Sequence, residues 1–101
     1  MDEGYLDEAR FAESYLASRS SRGFGPRRIE FELREKGVDK STIRSTMDAC
    51  AEDWFANADK ARAKKFDTKP SSGADRAKQS RFLQQRGFFG EHIQHALDSK
   101  S

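Results

Sequence analysis

One spacing constrains this chain more than any other: a pattern of apolar, basic and glycine residues returns after fifty positions. Leu33, Lys36, Gly37, Val38, Ile43 and Met47 come back as Leu83, Arg86, Gly87, Phe88, Ile93 and Leu97, without a gap. Each block reads as the end of one helix, a glycine, an apolar residue, and a second helix with apolar positions at i and i+4. The glycine has a physical reason. A helix that ends in a left-handed residue carries no Cβ penalty there if that residue is Gly. The apolar residue after it can then fold back onto the helix it has left. Two helical units in tandem are the natural consequence.

The remaining periodicity fills in these units. A first helix is expected over about Leu6 to Ser20, with Asp7 and Glu8 in its first turn, where carboxylates complement the helix dipole. Phe11 and Tyr15 share one side of it, with Ala12 and Leu16 adjacent. Gly23 and Gly25 break it. Pro26 suits the first position of a second helix and Gly37 the residue after its end, with Ile29 and Leu33 inward. Asp39 is a good N-cap for a third helix carrying Ile43 and Met47, whose spacing runs on through Cys50 to Trp54. Asp53 is a competing cap for a fourth helix reaching about Phe66. Asp67-Thr68-Lys69-Pro70-Ser71-Ser72-Gly73 is loop chemistry, long enough to be mobile. A fifth helix is expected from about Ala74 to Arg86, and a last one from about Glu91 to Asp98 with Ile93 and Leu97 inward. Trp54 and Phe55 read as core or inter-unit packing, and Phe82 as core.

Composition agrees with slender helices. Hydrophobic residues make up 35% of the chain and charged residues 36%, too apolar-poor for one thick core. No alternating run reads as a strand. The fold class is therefore all-α, with tandem three-helix repeats over 1–52 and 53–101. The lone cysteine, Cys50, excludes an internal disulfide and fits a reducing cytoplasm. The start of the chain is acidic at Asp2 and Glu3 and lacks the pattern of a secretory leader, and no stretch is apolar enough to span a bilayer.

Charge is divided unevenly. Residues 60–86 carry nine Lys and Arg against two Asp, although the whole chain is only +2. A basic segment beside acidic ones points to a partner with a negative surface, nucleic acid among the candidates; a solvated helix surface would look the same.

Catalytic patterns are missing. His92 and His95 are three apart on a helix but fall short of a metal site in ligand number and spacing, and read as surface or half-buried residues. Gly23-Phe24-Gly25-Pro26 lacks the Lys-Ser/Thr ending of a phosphate loop, and no serine sits in a nucleophile elbow. The carboxylates mix with Lys and Arg at helix-pair spacings, as surface ion pairs do. An enzyme is not expected. Two basic constellations remain. In the first, Arg19 and Arg22 precede the break, and Arg27 and Arg28 open the second helix, where cations oppose the dipole. Arginine there suits bidentate contact with phosphate or carboxylate. In the second, Arg76, Lys78, Arg81, Gln85 and Arg86 make one helix face basic and polar.

Taken together, Arg10-Phe11-Ala12, Gly25-Pro26-Arg27-Arg28-Ile29, Lys36-Gly37-Val38 and Arg81-Phe82-Leu83-Gln84-Gln85-Arg86-Gly87-Phe88 resemble the RecX family, over about Asp7 to Leu97. That family usually carries three such units, of which this chain resembles the second and third. The resemblance implies an elongated, curved array of three-helix repeats that catalyses nothing and needs no cofactor. It implies binding to RecA filaments on single-stranded DNA, restraining their growth, ATP hydrolysis, strand exchange and repressor cleavage. A monomer is expected. Residues expected to meet RecA or DNA are Arg19, Arg22, Arg27, Arg28, Lys36, Lys64, Lys65, Arg76, Lys78, Arg81 and Arg86. The alternative is a stand-alone helical nucleic-acid-binding module, in which the second and third helices mimic a helix-turn-helix. Against it, Lys40 and Arg44 of the third helix are offset by Asp39, Asp48 and Glu52. A third reading is a scaffold that binds protein through its apolar stripe.

Overall fold

A computed structural model describes residues 8–98; the expected contributions of Leu6 and Asp7 to the first helix lie outside them. The described residues form α1 (Glu8–Ser21), α2 (Pro26–Glu35), α3 (Lys40–Ala49), α4 (Trp54–Lys65), α5 (Gly73–Arg86) and α6 (Gly90–Asp98), with no strand among them. None of these helices is long and apolar enough to cross a membrane.

The boundaries follow local chemistry. Pro26 occupies the first turn of α2 behind an extended Gly25. The Asp39 side chain accepts from the Ser41 amide at the start of α3, and Asp53 from the Phe55 and Ala56 amides at the start of α4. Ser72 does the same for Asp75 on α5. The repeated glycines close α2 and α5 in the same way. Gly37 has φ +86° and Gly87 φ +98°. Beyond them the Val38 amide reaches back to the Leu33 carbonyl at 3.0 Å, and the Phe88 amide to the Leu83 carbonyl at 3.2 Å. This six-to-one closure lets Val38 and Phe88 tuck under the helices they follow.

Helices α1–α3 enclose one core of Ala12, Leu16, Ile29, Leu33, Val38 and Ile43; α4–α6 enclose another of Ala58, Ala61, Leu83, Phe88, Ile93, Ala96 and Leu97. Each fully buried Leu, Ile or Phe contributes about 1.5–3 kcal/mol, so neither unit has much to spare. Trp54 packs against both cores, as inter-unit packing required, though an extended break after Ala49 puts it on α4 and not on a prolonged α3. Two other aromatics depart from expectation. Phe55 is 39% exposed, its ring held edge-on by His92 and His95 on α6. Phe82 is only half-buried, packed against the rim of the second core. Phe11 also lies outward, while its neighbours Ala12 and Leu16 are buried.

Unit two keeps a more polar interior than unit one. Gln79 stands at the repeat position of Ile29 and is just as buried; its amide nitrogen donates to the Thr68 carbonyl at 3.1 Å. Arg62 is buried beside the end of α4, where the Phe66 carbonyl receives its guanidinium. Both side chains tie the α4–α5 connection to the helices.

The units are joined backbone to backbone. The Gly25 amide donates to the Arg86 carbonyl at 2.7 Å and the Arg27 amide to the Gly87 carbonyl at 2.8 Å. Free amides at the start of α2 thus satisfy carbonyls at the end of α5, the two sets of groups that helix ends leave open. The Arg28 guanidinium adds a bond to the Gln85 carbonyl at 3.0 Å. The result is an elongated body of 56 × 22 × 19 Å.

Candidate interaction surface

The structure sorts the basic residues into those paired with a carboxylate and those with no ion pair among the described residues. Glu32 on α2 is the centre of the first group. It accepts from the Tyr15 hydroxyl at 2.6 Å, from Arg19 Nε and Nη2 at 3.1 and 3.2 Å, and from Arg28 Nε at 2.9 Å. Burial alone would raise its carboxyl, but the Tyr15 hydroxyl and the two guanidiniums hold it at about 2. Burial and the same hydrogen bond push the Tyr15 phenol up. Arg19 and Arg28 also stack on Phe24, with Arg86 the third guanidinium over that ring, at 4.1, 4.6 and 4.7 Å from its centroid. Arg76 belongs to this group as well. It pairs with Asp98 at 2.7 Å, and its hydrogen bond lowers the Asp98 carboxyl.

Among the basic residues without an ion pair, Arg22, Lys60, Lys64, Lys65 and Arg86 line one groove. Its broader part, about 400 Å³, lies between the end of α1 and α4, bounded by Ser20, Arg22, Glu52, Asn57, Lys60 and Lys64. It continues past Arg22, Gly23, Ala61 and Lys64 into a cleft of about 200 Å³ closed by Lys65, Phe82 and Arg86. None of these five cations has an ion pair among the described residues. The single carboxylate on the wall, Glu52, accepts from the Asn57 amide at 2.9 Å. Arg86 and Lys65 lie over the Phe82 ring at 5.3 and 5.8 Å, which positions them without neutralising them. Placing so many unpaired cations side by side is unfavourable for the free protein and favours an anionic partner.

Lys60 has no place among the expected contact residues, although it sits one helical turn before Lys64 and that i,i+4 spacing is visible in the sequence. The groove itself is not visible there, since α1 and α4 meet only through the fold. Of the other expected residues, Arg27, Lys78 and Arg81 are exposed and lack ion pairs among the described residues, while Lys36 is exposed with its ammonium 5.4 Å from the Tyr15 ring.

The histidines form no metal centre: among the described residues no three His, Cys, Asp or Glu side chains group as ligands. His92 is buried, contrary to the sequence expectation, because α6 turns it under Phe88 and Phe89. Its Nδ1 accepts from the Phe89 amide at 3.4 Å, and burial lowers its pKa despite Glu91 at 3.6 Å from Nε2. It serves as a cap within the second core.

Comparison with known proteins gives two adjoining matches. The model of the RecX second three-helix domain matches residues 7–47, and that of the RecX third three-helix domain matches residues 51–97. Among curated proteins, the regulatory protein RecX of Serratia proteamaculans is 44% identical over 91 residues, covering 89% of this chain and 54% of that protein. The one from Chromohalobacter salexigens is 43% identical over 96 residues, covering 95% and 63%, and the one from Cronobacter sakazakii 42% over 94 residues, covering 92% and 57%. The chain thus spans between half and two thirds of the length of these relatives.

Proposed function

The chain belongs to the RecX family, and on that premise we propose that it is a non-enzymatic regulator of the RecA recombinase, acting on the filament that RecA forms on single-stranded DNA. In this reading it restrains filament growth, ATP hydrolysis, strand exchange and repressor cleavage, and so tempers recombination, repair and the SOS response in the cytoplasm. The groove of five unpaired cations is the observation that supports it most. A filament offers acidic protein surface and phosphate in register, and such a groove would meet either.

Shape supports the same reading. The units 1–52 and 53–101 act as one monomeric strap, 56 Å long and joined by backbone hydrogen bonds that resist bending. A strap of that length reaches across neighbouring filament subunits. Bound there, it opposes the subunit motions that accompany ATP turnover and exchange.

The test is ATP hydrolysis by RecA on single-stranded DNA while this chain is titrated in at fixed salt. The expected result is a dose-dependent fall. An unchanged rate at saturation overturns the proposal, and intact binding to DNA alone would then favour the stand-alone nucleic-acid module.

A further inference from the structure

Unit two buries two polar side chains where unit one buries apolar ones. Ala12 and Leu16 stand one turn apart inside α1, and Ala58 and Arg62 stand with the same spacing inside α4. Gln79 on α5 occupies the place of Ile29 on α2. Unit one shows that the fold of a unit requires neither of them, and burying polar groups is unfavourable unless each is bonded. Here they are not fully bonded. Arg62 is 7% exposed and Gln79 1%, yet Arg62 Nε and the Gln79 side-chain oxygen have no hydrogen-bond partner among the described residues. No carboxylate among them pairs with the Arg62 guanidinium.

What these two side chains do hold is the α4–α5 connection, residues 66–72. Arg62 Nη1 donates to the Phe66 carbonyl at 3.5 Å, a long bond, and Gln79 Nε2 donates to the Thr68 carbonyl at 3.1 Å. Phe66 sets its ring edge-on against Phe82 at 5.6 Å. Phe82 in turn lies under Lys65 and Arg86 on the wall of the narrow cleft. Further on, the Ser71 amide donates to the Asp75 carboxylate at 3.1 Å. The connection is therefore shut over its two anchors by hydrogen bonds. When such a segment lifts, bonds to its carbonyls are exchanged for bonds to water at small net cost, and the unpartnered atoms become solvated. Leu or Ile in the same places would be exposed by the same movement, at a larger cost.

We propose that residues 66–72 are a latch, which lifts from Arg62 and Gln79 as a local unit while both cores stay folded. Its anchors are polar so that the open state is accessible. Closed, Phe66 backs Phe82 beneath Lys65 and Arg86. Open, that wall of the cationic cleft loses its backing and the cleft changes shape. The opening belongs to this chain alone and needs no partner; only its effect on binding at the cleft rests on the filament reading.

Native-state proteolysis of the whole chain by thermolysin, with products identified by mass spectrometry, tests it. Thermolysin cuts ahead of large apolar residues, and lifting of the latch makes the Lys65–Phe66 bond accessible. Cleavage there should proceed under native conditions at a rate that low urea barely changes, since a local opening exposes little surface. Arg62→Met with Gln79→Met replaces the anchors by apolar side chains of similar length. It should slow this cleavage about tenfold or more, because opening would then expose buried apolar groups. The cleavage that remains should rise with urea, as it does when cutting requires wider unfolding. The urea midpoint of this variant should not fall, since it removes both unbonded side-chain atoms. Should circular dichroism show the double variant unfolded, Gln79→Met alone carries the same test, with a slowing of about threefold. Wild-type cleavage that follows urea as global unfolding does, or an unchanged cleavage rate in the folded apolar variant, overturns the proposal. The assay contains no RecA, so its failure leaves the filament reading standing, and the reverse is equally true.

Discussion

Gly25 and Gly87 meet so closely across the unit boundary that neither has room for a side chain. A Cβ on Gly25 would lie 2.6 Å from the Gly87 carbonyl carbon, and a Cβ on Gly87 would lie 2.2 Å from the Arg28 Cβ. Gly37, the repeat equivalent of Gly87, has the same left-handed backbone but nothing within 4 Å of such a Cβ. The pair therefore separates two costs. Gly37→Ala should lose only the backbone preference, about 1 kcal/mol. Gly87→Ala should lose that and also force the joint apart, for about 2–4 kcal/mol in all. Gly25→Ala, with no left-handed backbone, should show the steric part alone. Urea unfolding of the three variants measures the order; equal losses at Gly37 and Gly87 would contradict the joint.

Glu32 makes stability depend on pH in the acid range. Its carboxyl is held at about 2 in the fold against an ordinary 4.5, so the unfolded chain binds the proton more readily. Its contribution is complete above pH 4.5 and declines as pH falls from there toward 2. With most of the carboxylate shielded from water, the contribution is roughly 2–3 kcal/mol. Denaturant midpoints between pH 6 and 3 should fall for the wild type and flatten for Glu32→Gln, which keeps the shape but not the charge. His92 adds a smaller decline that begins near its ordinary 6.5, because burial favours its neutral form in the fold. His92→Gln should remove that portion.

How far these features could be read in advance depends on how local their causes are. Gly37, Gly87, Asp39 and Asp53 announce helix ends, because left-handed backbone and capping bonds involve neighbours in the chain. The repeat therefore sets the helices and their inward faces. Causes that cross between units stay hidden. Gly25 looks like a breaker in a loop, yet its constraint comes from Gly87. Arg19 looks free for a partner, because nothing local says that Glu32 will receive it, and the i,i+4 spacing of Arg28 to Glu32 gives no sign of the bond that Arg28 also makes to the Gln85 carbonyl. Gln79 in the place of Ile29 reads as surface until the Thr68 carbonyl meets it inside.

Partner-facing lysines and structural arginines should part in mutagenesis. Lys64 and Lys65 are exposed and without ion pairs among the described residues, so Lys64→Glu with Lys65→Glu should cost only the favourable placing of two cations in the last turn of α4, about 1–2 kcal/mol. The same pair should raise the concentration needed for half-inhibition of RecA ATP hydrolysis by about tenfold or more, since it reverses charge in the groove. Arg28→Ala should do the opposite: it frees Glu32 and the Gln85 carbonyl and lowers the urea midpoint first. Unaltered inhibition by the double variant would remove the groove from the filament contact.

Trp54 is the only tryptophan, and it touches both cores, so its fluorescence reports the boundary on which the strap depends. In a tandem array each unit is marginal alone and gains stability from its neighbour. Here that coupling includes the Gly25–Arg86 and Arg27–Gly87 backbone bonds, the Arg28 bond to the Gln85 carbonyl and the Trp54 side chain. If they bind the units into one cooperative body, Trp54 fluorescence and far-UV circular dichroism should give coincident urea transitions in the wild type. Gly25→Ala spaces the joint without touching either core, and there the two signals should separate, fluorescence changing first. Trp54→Ala should cost about 2–3 kcal/mol, less than a wholly buried tryptophan, since the ring is only half-buried. Separate transitions already in the wild type would mean that the units unfold independently, and a strap with so loose a joint could not transmit restraint from one filament subunit to the next.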